Sequence, residues 1–344
     1  MRFYDMDKRV AVVILNYNGA AMLARFLPSV VEHSPEAQIV VADNGSADDS
    51  VAQVRALFPT VRVIELGCNF GFADGYNRAL AQVDADYYIL LNNDVEVTRG
   101  WIAPLLAQME ADEKVVACQP KILSYNNKNK FEYAGAAGGF IDCYGYPYCR
   151  GRLFDTVEGD CGQYDEPCRV FWATGAALMV RSSVFKNVGG FDAGFFAHME
   201  EIDLCWRMLA RGSDIMAIPA SVVYHVGGAT LAKSNPRKTY LNFRNNLLLL
   251  YKNLPTERLA RVMRVRCLLD YVAAFKFLLT AGWGDFAAVV RARRDFRRMK
   301  KQYVAARDEN MRRAVAVPAM SGFSLLWQYY ARGRKRFSQL PKNK

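Results

Sequence analysis

Long apolar runs are missing from this 344-residue chain. No window reaches the ~18 uninterrupted apolar residues that a membrane-spanning helix needs. The nearest stretch, Leu268 to Leu279, is broken by Asp270 and Lys276. Met1 to Arg9 is polar and contains no apolar core, so no secretory leader and a cytoplasmic location are expected. Eight cysteines are present but no Cys-x-x-Cys pair. Cys143, Cys149, Cys161 and Cys168 are separated by five, eleven and six intervening residues, which disfavours a zinc site. Disulfides are not expected in a reducing compartment, and Cys68, Cys118, Cys205 and Cys267 read as small apolar packing residues. A Walker A loop is absent, and Gly71-Phe72-Ala73-Asp74-Gly75 does not have Gly-x-Gly-x-x-Gly spacing, which argues against a dinucleotide fold. No nucleic-acid-binding module is recognisable, so nucleic acid is not an expected partner. Acidic residues are scarce only at one end. Residues 1–230 hold 19 Lys and Arg against 28 Asp and Glu, a net charge of −9, whereas residues 231–344 hold 26 against 6, a net of +20. That division suggests a near-neutral to acidic catalytic body and a basic part that seeks an anionic surface.

What is present is an alternation of strands and helices. Val10 to Leu15 is a continuous apolar, mostly β-branched run, as expected for a parallel strand covered on both faces. Ile39–Ala42, Val61–Leu66 and Tyr87–Leu91 repeat the pattern, separated by helical periodicity over Ala20–His33, Ala47–Leu57 and Ala73–Gln82; Thr98–Met109 follows as a further helix. The rhythm predicts an α/β fold with a doubly wound, mostly parallel sheet. Ligands of such sheets bind beyond the carboxyl ends of the strands. The polar clusters fall there: Asn16-Tyr17-Asn18-Gly19, Asp43-Asn44-Gly45-Ser46, Gly67 to Asn77, and Asn92-Asn93-Asp94. Each alone is ordinary turn chemistry; four at one edge point to a site. Lys121–Pro167 reads as a polar flap or acceptor-side loop, Phe171–Val180 as a returning strand, and Asp214–Ile218 and Ser221–His225 as two short strands. From Pro236 onward the pattern is helical, with a basic run at Arg291–Lys301. Basic amphipathic helices commonly lie on membrane surfaces; a solvated helix face is the bland alternative.

The densest chemistry is Glu200-Glu201-Ile202-Asp203, three carboxylates opening a helix just after Gly189-Gly190-Phe191-Asp192. A helix dipole favours acids there. Phe195, Phe196 and Met199 lead into them, and a carboxylate beside apolar bulk is harder to ionise and better placed as a base. Asp94 at a strand end could hold a hard divalent cation, and His225 at another strand end could complete the shell.

These motifs, in this order over about residues 9–250, resemble the family 2 glycosyltransferases of the GT-A fold, particularly their rhamnosyltransferase-like bacterial branch. The resemblance implies a GT-A nucleotide-diphospho-sugar transferase domain over 1–254 and a C-terminal helical basic appendage, 255–344, that associates with membrane. It implies that Asn16, Asp43 and Asn44, with Asn18 and Asn93, line the base and ribose of a sugar nucleotide, and that Asn69, Gly71, Asn77 and Arg78 close that pocket. Trp172 and Gly175 would face the donor sugar. Asp94 and His225 would bind Mg²⁺ or Mn²⁺, Glu201 would be the catalytic base, and Asp192 and Glu200 would position the acceptor. Two departures stand out. Glu201 occupies a position that is Asp in many members, which leaves Asp203 and Glu200 as alternative bases, and Asn92 replaces the first acid of an Asp-x-Asp triplet. The implied activity is inverting transfer from dTDP-rhamnose or a UDP-hexose to a glycan or polyprenyl-linked oligosaccharide at the inner membrane face. The competing readings are a non-catalytic sugar-nucleotide-binding or scaffold protein on the same fold and a nucleotidyltransferase; the latter lacks its Gly-rich, Lys-containing N-terminal loop.

Overall fold

The computed structural model describes residues 9–227 and 235–341. β1 (Val10–Asn16), β2 (Ala37–Asp43), β3 (Arg62–Glu65) and β4 (Tyr87–Asn92) pair in parallel in the order β3-β2-β1-β4, connected by α1 (Ala20–His33), α2 (Ser50–Leu57) and α3 (Gly71–Leu80). Alternate β1 residues feed opposite faces. Val10, Val12 and Ile14 join Leu23, Leu27 and Val30 of α1, while Ala11 and Val13 join Tyr76 of α3. Burial on both faces is why the run is apolar at every position.

Beyond β4 the sheet becomes mixed. β5 (Val95–Val97) and α4 (Ile102–Ala111) lead to β6 (Val115–Ser124) and β7 (Asn127–Phe131). A small four-stranded sheet follows, built from β8 (Gly139–Ile141), β9 (Pro147–Cys149), β10 (Arg152–Leu153) and β11 (Thr156–Val157). The chain returns through β12 (Cys168–Arg169), β13 (Ala177–Arg181), α5 (Ser182–Asn187), α6 (Glu200–Ala210) and β14 (Asp214–His225). β13 lies antiparallel between β4 and β6, giving the order β12-β14-β6-β13-β4-β1-β2-β3. Three sequence expectations change here. The two short strands are one strand, with a register shift between Ile218 and Val222. The returning strand is confined to Ala177–Arg181, because Trp172–Ala176 turns across the sheet edge. Lys121–Pro167 is not a flap: it begins within β6 and buries Ile122, Leu123, Phe131 and Ala136 in the core.

α7 (Pro236–Asn253) supplies Leu247 to Leu250 to the same core, and α8 (Thr256–Thr280), α9 (Trp283–Met299) and α10 (Val304–Arg313) pack around it. Three arginines of this region, Arg266, Arg293 and Arg307, are buried, while most of its other basic residues are exposed. Arg266 donates from Nε and Nη2 to Asp270 Oδ1 at 3.1 and 3.0 Å, and Arg293 reaches the other oxygen of that carboxylate. Such a buried triad is tolerated because each ion is paired. Further on, Leu325 and Tyr329 pack on Tyr148 and Leu153 of the small sheet, and Leu325 N–H donates to Asp142 Oδ2 at 2.7 Å. Residues 255–341 therefore wrap the body and clamp the insertion. Among the described residues no helix is long and apolar enough to cross a membrane, and all eight cysteines are free.

Candidate active site

The strand ends are tied together by their own amides. Asn16, fully buried, donates from Nδ2 to Asp43 Oδ1 and Ser46 Oγ, both at 3.3 Å, and accepts from Asn93 Nδ2 at 2.9 Å. Asp43 closes its own turn by accepting from the backbone of Gly45 and Ser46. Asn44 clamps the next loop, accepting from Phe70 N–H and donating to Asn69 Oδ1 and the Gly71 carbonyl. Asn18 accepts from Ala47 N–H at 2.7 Å. Residues of this kind at parallel-strand termini satisfy backbone groups that the ladder leaves open. Gly71 is required: its φ is +77°, and a Cβ would lie 2.5 Å from the Phe196 ring. That close approach lets Phe72 and Ala73 donate their N–H groups to the Phe196 carbonyl at 2.7 and 3.1 Å, fastening α3 to the segment before α6.

Asp94 and His225 meet as expected. His225 Nε2 lies 3.0 Å from Asp94 Oδ1, and both side chains are buried. On the ring's other side Nδ1 lies 3.3 Å from Glu132 Oε2, an electrostatic contact without hydrogen-bond alignment. Burial disfavours the imidazolium, but Asp94 and Glu132 outweigh it and raise the pKa to about 10. A carboxylate behind an imidazole that faces a second carboxylate is the arrangement that orients a metal-binding histidine. The carboxylate suits Mg²⁺ or Mn²⁺, and the imidazole favours Mn²⁺ of the two. Among the described residues no group of three or more His, Cys, Asp or Glu could hold a metal. Two protein ligands leave the remaining positions to substrate phosphate and water, so the residues fit a cation shared with a diphosphate.

The acid helix opens on a strained segment. Phe196, His198 and Met199 have φ of 63°, 70° and 71°, a left-handed conformation that costs of order 1–3 kcal/mol per non-glycine residue. α7 holds it: buried Asn245 donates from Nδ2 to the carbonyls of Phe195, Ala197 and His198 at 2.9, 2.8 and 2.7 Å, and Arg244 adds bonds to Gly194 and Phe195. The acids then part. Glu201 packs against Gly175, whose added Cβ would lie 4.0 Å from Glu201 Cβ. Next to it, the Ala176 carbonyl accepts from Asn92 N–H at 3.0 Å, two residues before Asp94. Burial pushes the Glu201 carboxyl up to about 7, against the pull of nearby backbone amides at the start of α6. Burial and then the charge of Glu201 push Glu200 well above its usual range. Glu200 Oε2 and Glu201 Oε2 are both buried without a hydrogen-bond partner.

Asp203 does not join them. Two positions along a helix is a rotation of about 200°, and Asp203 is bonded to Arg207 Nε at 2.9 Å, Lys252 Nζ at 2.9 Å and Asn253 Nδ2 at 2.8 Å. Burial alone would raise its pKa, but Lys252 and Arg207 hold it low. A carboxylate held ionised by two cations and an amide is a poor proton acceptor. Asp192 shares this ion cluster, 2.5 Å from Lys252 Nζ, and accepts from Gly194 N–H at 3.0 Å. Trp172 is buried too, its indole N–H donating to the Phe140 carbonyl at 2.9 Å under Gly139, so it does not face a donor. Asn77 clips α3 to Phe191 through both amide atoms, and Arg78 stacks on Phe70 at an exposed edge. Sequence reasoning missed Glu132, Lys252, Asn245 and half-buried His198, whose sealed Nε2 has no partner and whose pKa desolvation lowers to about 4. The one available signal was Asn245-Asn246 interrupting an apolar helix.

The mixed, mostly parallel sheet with its covering helices has the GT-A nucleotide-sugar transferase fold. Solved structures agree on the fold. GalNAc-T7 with UDP, GalNAc and Mn²⁺ superposes with a TM-score of 0.57 at 18% identity, over 91% of this chain and 59% of that one. The mannosyltransferase PcManGT from Pyrobaculum calidifontis, in complex with GDP-Man and Mn²⁺, gives 0.52 at 14% identity, over 89% and 84%. Residues 11–173, just under half of the chain, match Glycosyl transferase family 2. Among characterised relatives, the N-acetylglucosaminyl-diphospho-decaprenol L-rhamnosyltransferase of Mycobacterium tuberculosis is 29% identical over 239 residues, 64% of this chain and 76% of that enzyme.

Proposed function

We propose that this chain is an inverting, metal-dependent glycosyltransferase that moves a sugar from dTDP-rhamnose or a UDP-hexose to a lipid-linked glycan, working at the inner membrane face in cell-surface polysaccharide synthesis. The observation that carries it is Glu201. It is a half-buried glutamate whose Oε2 is sealed from solvent without a partner and whose pKa desolvation raises to about 7, packed on the turn that is hydrogen-bonded to the Asp94 strand. In the reaction Glu201 takes the proton of an acceptor hydroxyl, and that oxygen attacks the anomeric carbon from the face opposite the diphosphate, which leaves with the bonding electrons. A divalent cation held by Asp94 and His225 would neutralise charge on the leaving diphosphate. Glu132 keeps the His225 ring turned toward Asp94, and Asn245 keeps the segment before Glu201 in its strained form, so positioning is prepaid by the fold. The mycobacterial relative's rhamnosyl donor and decaprenyl-diphosphate acceptor support the substrate class, and the Mn²⁺ complexes of the structural neighbours support the cation.

The test is nucleoside diphosphate release from dTDP-rhamnose and from UDP- and GDP-sugars, with Mg²⁺ or Mn²⁺ and a polyprenyl-diphosphate-linked acceptor. One donor should be turned over by the wild type and not by Glu201→Gln, which should still bind nucleotide. Nucleotide binding without turnover in the wild type would leave a binding protein instead.

A further inference from the structure

Residues that are exposed and apolar are scattered on most proteins, but those of α8 are not scattered. Leu268, Val272, Phe275 and Leu279 recur at intervals of four, three and four, which puts them within about 60° of one line on the helix. The stripe runs for about 17 Å and ends at Trp283, the first residue of α9. All five are exposed over 59–71% of their surface. The opposite face of α8 is the inward one, where Arg266, Asp270 and Ala274 are buried. A second segment borders the stripe. Lys276 Nζ donates to the Tyr330 hydroxyl at 3.1 Å and lies 4.9 Å above its ring, which brings the Trp327–Ala331 turn against α8. Trp327 on that turn is 59% exposed. Along the same line toward the helix N-terminus stand Arg261 and Arg264, both exposed and with no ion-pair partner among the described residues. Glu257 is the one exposed acid of α8 and lies at its far end.

We propose that this face, the outer side of α8 with Trp283 and Trp327, is a docking surface for an anionic phospholipid bilayer. The apolar stripe enters the acyl boundary, and Arg261, Arg264 and Lys276 meet the headgroups. A large apolar face with interfacial tryptophans and flanking cations is the chemistry of a helix lying in a membrane surface. Charge selects the bilayer over a second copy of this chain: the stripe is flanked by exposed cations, which anionic headgroups complement, and it offers a second copy of the same face no acid to pair with them. This assignment rests on the proposed lipid-linked acceptor.

The chain reports on this face by itself. Trp101, Trp172 and Trp206 are buried, so Trp283 and Trp327 are its exposed indoles. Full-length protein is mixed with phosphatidylcholine vesicles with and without phosphatidylglycerol, and binding is read by flotation and tryptophan emission. Binding should require phosphatidylglycerol, shift the emission to the blue and be quenched by bromine-labelled acyl chains. The double variant Trp283→Phe, Trp327→Phe should lose the emission change. Phe275→Glu with Leu279→Glu should bind at least roughly tenfold more weakly, with an unchanged circular dichroism spectrum. Full-strength binding by this glutamate variant, binding with no emission change, or a dimer in place of vesicle binding would each overturn the assignment. Donor turnover measured without vesicles keeps the two readings apart. The glutamate variant should retain it, whereas its absence in a wild type that binds vesicles would remove the transferase reading alone.

Discussion

Replacing Glu201 by Gln removes an ionisable group from a site that resists its charge. Burial moves that carboxyl from 4.5 to about 7. One pKa unit is ~1.4 kcal/mol, so keeping Glu201 ionised in the folded protein at pH 8 costs roughly 3 kcal/mol relative to the unfolded chain. The folded pKa lies above the unfolded one, so the folded state binds the extra proton between the two. The stabilisation from that proton is complete below about pH 4.5 and is lost as pH rises through about 7. Gln has nearly the same shape and no charge to bury. Glu200 also gains, because the charge of Glu201 is one cause of its own raised pKa. In thermal and urea melts Glu201→Gln should exceed the wild type by up to roughly 3 kcal/mol at pH 8, several degrees in Tm, and the difference should fade near pH 4. Turnover should fall in the same variant by ~10²–10⁴-fold, and wild-type kcat/KM should rise with pH through a midpoint near 7, since only the ionised form accepts a proton. Equal stability of the two proteins at pH 8, or an activity midpoint below about 5, would refute the reasoning from burial.

Asn245→Ala should remove the amide donor from the Ala197 and His198 carbonyls, while the Phe195 carbonyl keeps Arg244. A loss of roughly 2–4 kcal/mol in urea denaturation is expected, with a lower kcat. Lys252→Met should remove one of the two cations that hold the buried charge of Asp203, leaving Arg207, and lower stability by about 1–3 kcal/mol near neutral pH. Because Asp203 is held below its usual range, that loss should shrink as pH falls through its folded pKa, which melts across an acid series would reveal. Glu132→Gln should weaken Mn²⁺ binding by ~10–100-fold, read from the free-ion paramagnetic resonance signal without substrate; unchanged affinity would remove Glu132 from its orienting role.

Three of the left-handed residues lie in the four positions from Phe196 to Met199, directly before the proposed base. Left-handed strain of this kind persists only where surrounding contacts over-determine it. Here those contacts come from two directions, Asn245 on α7 and the α3 amides that bond to Phe196. The donor-side loop and the acid helix are thereby mechanically joined, and Gly71 is the position that permits the close approach.

The sequence by itself determined the parallel half of the sheet, because both-face burial prints an apolar residue at every position of β1 and β4. It also marked the strand ends that carry Asn16, Asp43 and Asp94, since turns and open backbone groups demand amides, carboxylates and glycines there. The glutamates of α6 were legible as candidate bases, and Asp94 with His225 as a candidate metal pair. The antiparallel place of β13 was not legible, since a strand's neighbours depend on elements far away in the chain. Nor was the division among the acids. Glu201 and Asp203 are two positions apart on one helix, yet one faces Gly175 and the other faces Lys252, 49 residues further on. Only the tertiary structure decided which carboxylate is neutralised by a cation and which is left buried and ready to take a proton. Periodicity and turn chemistry are short-range and are written in consecutive residues, whereas burial and charge pairing are set by groups that meet only when the chain has folded.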